Sequence, residues 1–282
     1  MNKLYGLIGN PVSQSKSPDM FQAAFQKLGI EATFALFHLE KSDLKKFFIR
    51  MRTGEIAGIN VTIPYKQAVI PFLDQLNPHA QNCGAVNTIY FKDNQLVGDN
   101  TDGRGFINAL TEETPIELAN KNVIVIGAGG ASRAVCSSLC EQGIAHLTIV
   151  NRSLDKAQEL ARDLANHFPQ IIFENQALKD LATMDFTHTH LLVNTTSLGM
   201  TQPWDDLSFI TRLHPNTIVS DIISKPAETQ LLEKALEQGL SVNHGYNMLL
   251  HQAYIGFELL TQKQAPREIM KQAVQKALGC TL

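Results

Sequence analysis

The run Gly127-Ala128-Gly129-Gly130-Ala131-Ser132-Arg133 has the residue types that hold a pyrophosphate. It follows the apolar stretch Val123-Ile124-Val125-Ile126 and precedes a helical pattern from Ala131 to Cys140. Strand, glycine turn and helix is the context that a dinucleotide fingerprint requires. Gly127 permits the tight turn, and Gly129 lets the backbone approach an anion. The helix start then offers N–H groups and the positive end of its dipole. Ser132 stands where the common pattern has a third glycine, and it is small enough for close helix–strand packing. A tight turn without a ligand is the competing reading.

About twenty residues beyond the glycines, such a unit carries an Asp or Glu that binds a ribose 2′-hydroxyl. Here the strand His146 to Val150 ends in Asn151-Arg152-Ser153, with Lys156 soon after. Two cations and a hydroxyl in place of a carboxylate suit a 2′-phosphate. Cations at a helix start oppose its dipole, so an anion gives them a reason to be there. A solvated helix start is the alternative. The pattern predicts NADP over NAD.

Three stretches of the first half carry other polar groups. In Ser13-Gln14-Ser15-Lys16-Ser17-Pro18, an extended chain points Ser15 and Ser17 the same way. In Asn60-Val61-Thr62-Ile63-Pro64-Tyr65-Lys66, Asn60 and Thr62 share one strand face and Lys66 falls in the first turn of a following helix. The third comprises Gly84-Ala85-Val86-Asn87-Thr88 and Gly98-Asp99-Asn100-Thr101-Asp102-Gly103. Each also has a structural reading. Serines before proline make turns, and Asp102 suits a helix N-cap.

These groups need a frame. The chain has 282 residues, 44% hydrophobic and 18% charged, enough for one large or two ordinary domains. A net charge of -3 without a basic block argues against a nucleic-acid surface. The apolar runs fall short of a membrane span, and no apolar leader opens the chain, so a cytoplasmic protein is expected. Cys83, Cys136, Cys140 and Cys280 form no C-x-x-C pair, and the nine histidines show no ligand spacing. Reduced thiols and no metal are expected.

Periodicity places strands at 4–9, 33–39 and 58–63, with a hairpin of 87–91 and 95–97 around Asp93-Asn94. Helices are expected over 19–28, 43–51, 65–76 and 101–110. The polar stretch 111–120 marks a domain boundary. Beyond it, strands at 122–126, 146–150, 171–173, 190–194 and 217–221 alternate with helices near 131–141, 154–166 and 228–238. That alternation implies a parallel sheet with right-handed crossovers. With the sheet complete there, two helices near 246–260 and 266–278 are free to cover the first domain.

The segments GNPVSQSKSP, NVTIPYK, GAVNT, GDNTDG, GAGGASRA, NRS, NTTSLGM and GYNMLLHQA run through both halves in one order. With them the whole chain resembles the shikimate dehydrogenase family, which reduces 3-dehydroshikimate in aromatic amino-acid biosynthesis. The resemblance implies an α/β fold of two domains. An N-terminal α/β substrate domain with a mixed sheet takes 1–110 plus 240–282, and a Rossmann NADP-binding domain takes 111–239. The catalytic pair falls on Lys66 and Asp102. Ser15 and Ser17 match the substrate-carboxylate serines, and Asn60, Thr62, Asn87 and Gln252 the polar positions around the substrate ring. Gly127, Ala128, Gly129, Gly130 and Ala131 match the pyrophosphate loop. Asn151, Arg152, Ser153 and Lys156 match the 2′-phosphate site, and Ile222 and Gly245 the nicotinamide side.

On that resemblance the ligands are NADP and a small-molecule substrate, without metal, nucleic acid or membrane, and a homodimer stands beside the monomer as an alternative. The chain departs from the family at two places. Ser17-Pro18-Asp19-Met20-Phe21-Gln22 replaces Ser-Pro-x-x-His-Asn, and Ser224 stands at a tyrosine position that reaches the substrate carboxylate. The second departure opens an alternative, a broader quinate/shikimate enzyme. A non-catalytic NADP-binding sensor is a further alternative, which the presence of both Lys66 and Asp102 disfavours. Methylenetetrahydrofolate dehydrogenase shares the two-domain plan but leaves the paired serines unexplained.

Overall fold

Side-chain parity along the first strand decides how the N-terminal sheet is covered. In the computed structural model, which describes residues 2–200 and 202–278, β1 (Lys3–Gly9) turns alternate residues to opposite faces. Tyr5 packs on Phe25 of α1 (Ser17–Leu28), and Phe21 of the same helix packs on Phe34 of β2 (Ala32–His38). Ile8 joins the other face. There it meets Leu44, Phe47, Phe48 and Met51 of α2 (Leu44–Arg52) and Ile59 and Val61 of β3 (Gly58–Val61). The chain continues through β4 (Gln75–Leu76), α3 (Pro78–Cys83), β5 (Thr88–Lys92) and β6 (Gln95–Asp99). The six strands lie in the order β2-β1-β3-β5-β6-β4, with β5 antiparallel to both its neighbours. Asp93 and Asn94 turn the β5–β6 hairpin with φ of 50° and 61°, as a two-residue turn of that hand requires.

The helix expected over 65–76 does not form. Pro71 lacks an N–H and its ring would clash with the preceding turn. The chain instead makes turns, a 3-10 turn at Ile70–Phe72, and then β4, which pairs with β6. Lys66 therefore sits in a turn and not in the first turn of a helix. Its carbonyl accepts the N–H of Val86 at 2.7 Å, tying that turn to the segment before β5.

After α4 (Asp102–Glu113) come β7 (Asn122–Ile126), α5 (Gly130–Glu141), β8 (His146–Asn151), α6 (Leu154–Ala165) and β9 (Ile172–Ala177). Then follow β10 (Leu191–Asn194), β11 (Ile218–Asp221), α7 (Gln230–Glu237) and β12 (Ser241–His244). These strands form a parallel sheet in the order β12-β11-β10-β7-β8-β9. Val123 and Val125 enter a core with residues of α4, α5 and α6. Ile124 and Ile126 enter another with Leu231, Leu232 and Ala235 of α7. Helices on both faces identify a doubly wound sheet whose order reverses beside β7. The sheet is not complete at 221: β12 adds a sixth strand, Ser241 to His244 in register with Ile218 to Asp221.

Last come α8 (Gly245–Thr261) and α9 (Arg267–Leu278). The chain divides into two compact units, Met1–Thr101 with Gln252–Leu282, and Asp102–His251. Within the first unit α9 packs along α1, and Phe257 of α8 packs on Phe21 and Phe25. The expected divisions at 110/111 and 239/240 thus shift to 101/102 and 251/252. Helix α4 belongs with the second unit because it lies tight on α5, and β12 because it pairs with β11. Cys83, Cys136 and Cys140 are buried free thiols, and Cys280 lies outside the described residues. Burial pushes the Cys136 thiol up to about 12, which keeps it protonated. No helix among the described residues is long and apolar enough to cross a membrane.

A Cβ on Gly103 would press into the Ala134 carbonyl and lie 2.9 Å from Ser138 Cβ. Because the obstacle includes backbone, Gly103→Ala is expected to lower stability by about 1–3 kcal/mol, read from the denaturant midpoint.

Candidate active site

In the second unit, β7 ends at Gly127 with φ +121°, a conformation that L side chains rarely adopt. A Cβ there would also collide with Thr195 Oγ1, the first residue after β10, whose hydroxyl donates to Ile126 O at 2.7 Å. Gly129 differs. A Cβ on it would meet nothing within 4 Å, so the loop opens to free space at that point. Gly129 is also the N-cap of α5, and no side chain caps the helix. Its first N–H groups thus have room and charge for an anion, which a pyrophosphate fits. Ser132 is fully buried and donates to Gly127 O at 2.7 Å. The residue that departs from the glycine pattern is therefore the one that ties the helix to the turn. Arg133, next to it, pairs with Asp163 (2.7 Å) and Glu159 (3.3 Å) of α6. That cation is spent on the fold.

The other cations are not. At the tip of β8, Asn151 Nδ2 donates to Ser153 O at 2.9 Å, which shapes the turn into α6. Arg152 and Lys156 are exposed, and their side chains make no hydrogen bond or ion pair with a described residue. Arg152 lines a cavity of about 950 Å³ walled by Leu154, Leu178, Leu198, Trp204 and Phe209. Lys179, Asp180, Asp205 and Asp206 also line it, so a mostly apolar wall that can take a flat ring carries charges of both signs, with the uncommitted Arg152 guanidinium open to an anionic group.

Ile222 and Gly245, distant in sequence, meet in the structure. A Cβ on Gly245 would lie 2.5 Å from Ile222 O and collide with Ile223 O, so only glycine allows this approach. The segment beyond β11 is pinned by Asp221. Its oxygens accept Asn194 Nδ2 (3.1 Å), Ile223 N–H (3.1 Å) and Thr229 Oγ1 (2.8 Å). Burial pushes the Asp221 carboxyl up to about 6 although these donors pull the other way. The sequence reading gave Thr195 and Asp221 no role. Their signal was chain position: Thr195 directly follows β10, which flanks β7, and Asp221 ends β11, the next strand out.

In the first unit, Ser15 Oγ donates to Ser17 Oγ at 3.3 Å and accepts the Ser17 N–H at 3.2 Å, so the two hydroxyls sit together as α1 begins. Asn60 is in register with Leu7, on the face of the sheet that turns toward α1 and α8. Its Nδ2 donates to Thr88 Oγ1 at 3.0 Å, but its buried Oδ1 has no partner. A buried acceptor without a donor is costly unless a ligand supplies one. Thr62 follows directly after β3 and is half-buried. Asn87 is more committed: its Oδ1 accepts Thr101 N–H (2.8 Å) and its Nδ2 donates to Thr101 Oγ1 (2.9 Å). Gly256 of α8 lies 3.3 Å from Asn60 Nδ2 as measured from a Cβ placed on it. Gln252 sits one turn earlier on the same helix face. Asp102 is buried and is the first residue of α4.

Known families match the chain in order. The shikimate dehydrogenase substrate binding domain covers residues 7–89, shikimate / quinate 5-dehydrogenase 109–195, and the shikimate 5′-dehydrogenase C-terminal domain 245–275. The shikimate dehydrogenase (NADP(+)) of Geobacillus kaustophilus (strain HTA426) is 42% identical over 283 residues, covering 99% of each chain. The chain belongs to the shikimate dehydrogenase family. Among solved structures, a shikimate dehydrogenase in complex with NADP+ superposes with a TM-score of 0.89 at 33% identity, covering 98% of this chain and 96% of that one. Shikimate 5-dehydrogenase from Listeria monocytogenes, in complex with shikimate and NAD, gives 0.89 at 31% identity, with coverage of 97% and 96%. The doubly wound sheet and the mixed sheet are therefore the two halves of a shikimate dehydrogenase fold.

Within this family fold, Ser132→Ala would strand the Gly127 carbonyl in the interior. The expected loss is about 1–2 kcal/mol in thermal or denaturant unfolding.

Proposed function

We propose that the chain catalyses the reversible reduction of 3-dehydroshikimate to shikimate with NADPH. The observation that carries the reading is Asn60: within a unit matched by a substrate-binding domain, it holds a buried acceptor whose missing donor a ring hydroxyl supplies. Ser15 and Ser17 offer paired hydroxyls to the substrate carboxylate. Thr62, Asn87 and Gln252 complete the polar surround of the ring.

Bound NADPH supplies the hydride. The chain supplies the rest. Reduction leaves negative charge on the former carbonyl oxygen, and Lys66 delivers the proton there, or removes it in reverse. Asp102 accepts a hydrogen bond from a ring hydroxyl. Gly127, Ala128, Gly129, Gly130 and Ala131 hold the pyrophosphate. Asn151, Arg152, Ser153 and Lys156 hold the 2′-phosphate, and Ile222 and Gly245 form the wall for the nicotinamide. We place the enzyme in the cytoplasm. A second reading, acceptance of quinate, is favoured by Ser224. It is half-buried beyond β11 and too short to replace a tyrosine at the carboxylate.

Lys66→Ala is expected to lower kcat by about 10²–10⁴-fold while the shikimate KM changes little, measured in both directions. A normal kcat would remove Lys66 from the proton transfer. Trp204, the single tryptophan of the chain, lines the cavity beside Arg152, so its fluorescence should report cofactor binding. Arg152→Ala should weaken NADP by about 10–100-fold, the worth of a charged hydrogen bond to phosphate, and leave NAD unchanged. Equal losses for both cofactors would count against the 2′-phosphate assignment.

A further inference from the structure

The last turn of α4 is fastened to the corner between β12 and α8 by a network of charged hydrogen bonds. Glu113 Oε2 accepts Asn243 Nδ2 (2.7 Å), the His244 N–H (3.0 Å) and Asn247 Nδ2 (3.1 Å). Its Oε1 meets His244 Nδ1. Ser220 of β11 donates to Asn243 Oδ1 at 2.8 Å, which leaves that amide's Nδ2 for Glu113. On the other side of the imidazole, His244 Nε2 lies 3.0 Å from Glu228 Oε1, in the segment after β11. Beside Glu113, Glu112 meets His251 Nε2 of α8 at 2.9 Å.

The other groups around the ring are accounted for. Tyr246 stacks on it, with centroids 5.3 Å apart. Asp221, in register with His244 on β11, gives its oxygens to Asn194, Thr229 and Ile223. On α7, which packs against β12, Lys234 pairs with Glu237 at 2.6 Å and Glu233 is exposed. His244 therefore stands between two carboxylates, one on each nitrogen, and only the imidazolium donates from both. The bond to Glu113, together with the charges of Glu113 and Glu228, holds its pKa above the ordinary histidine value against the effect of burial. Burial pushes the Glu113 carboxyl up, but its hydrogen bonds to His244 and Asn247 more than offset that and leave it below the usual range.

The position of this clamp gives it a role. His244 immediately precedes Gly245, whose backbone presses on Ile222 and Ile223. Glu228 belongs to the same segment as Ile222. The imidazolium thus holds both sides of the Gly245–Ile222 contact, and Glu113 anchors it to α4, the helix that Asp102 opens. We propose that His244, clamped between Glu113 and Glu228, is a positioning residue that fixes the Ile222–Gly245 wall against which the nicotinamide ring rests. This rests on the assignment of Ile222 and Gly245 under the proposed function. His244 acts through the wall and takes no part in proton or hydride transfer. The clamp is complete while the ring is charged. As pH rises through its raised pKa, a neutral imidazole keeps only one N–H, and one carboxylate is released.

The test separates the nicotinamide end from the adenosine end, using the full-length enzyme and Trp204 fluorescence. The probes are NADP and adenosine 2′,5′-bisphosphate, which lacks the nicotinamide. His244→Ala is expected to weaken NADP about tenfold, to leave the bisphosphate within about twofold, and to leave the shikimate KM within about twofold. Glu228→Gln, at a half-exposed side chain whose change does not threaten folding, should shift NADP in the same direction by a smaller factor. In the wild type the NADP KM should rise on the alkaline side of the profile, and in His244→Ala it should be high and flat. NADP binding unchanged in both variants, or NADP and the bisphosphate weakened in parallel, would overturn the proposal. A wild-type enzyme that binds neither probe would instead remove the cofactor reading, and this proposal with it.

Discussion

At the end of β7 there is no room for a side chain. Gly127 must take a positive φ, and its α-carbon faces the hydroxyl of Thr195 as the chain leaves β10. β7 and β10 are neighbours at the place where strand order reverses, so their two exits compete for the same volume. Glycine resolves the competition. Ser132 then reaches back to the Gly127 carbonyl and sets where α5 begins. Everything that the loop offers an anion, its direction, its open side at Gly129 and its uncapped N–H groups, follows from that contact.

Around this loop the charged residues fall into two groups. Arg133 is satisfied by Asp163 and Glu159, and Glu113 by three residues of the β12–α8 corner. Arg152 and Lys156 have no such partner among the described residues. The first group is engaged within the fold, and the second is exposed and uncommitted. Asn60 and Asn87 of the first unit also differ in how far their amides are engaged. Asn87 spends its amide on Thr101, whereas Asn60 keeps an acceptor in reserve.

Much of this was legible beforehand, and the failures have causes. Strands of the parallel sheet are apolar runs between turn residues, so most of them were placed within a residue or two. The hairpin at Asp93-Asn94 was read from its turn chemistry. The segment 65–76 was misread because its apolar spacing fits a helix as well as a buried turn, and Pro71 was given too little weight. β12 is only four residues long and mostly polar, so its pairing with β11 is a tertiary fact without a local pattern. The domain boundary was placed at the polar stretch after α4. What decides it is the fit of Gly103 against α5, and residue composition does not register that. Asn60 was singled out by strand parity, but its unpartnered oxygen is visible only once Thr88 and Gly256 are set against it.

Helix α4 joins two of these themes, since Asp102 begins it and Glu113 ends it. At 1.5 Å per residue it is a ruler of roughly 16 Å, and each residue also advances the face by about 100°. A single inserted or deleted residue would turn Asp102 to another side while Glu113 stayed bound at the β12–α8 corner. The helix can therefore vary in its exposed side chains but not in its length. A change of one codon triplet within it should be far less tolerated than one in the polar stretch that follows.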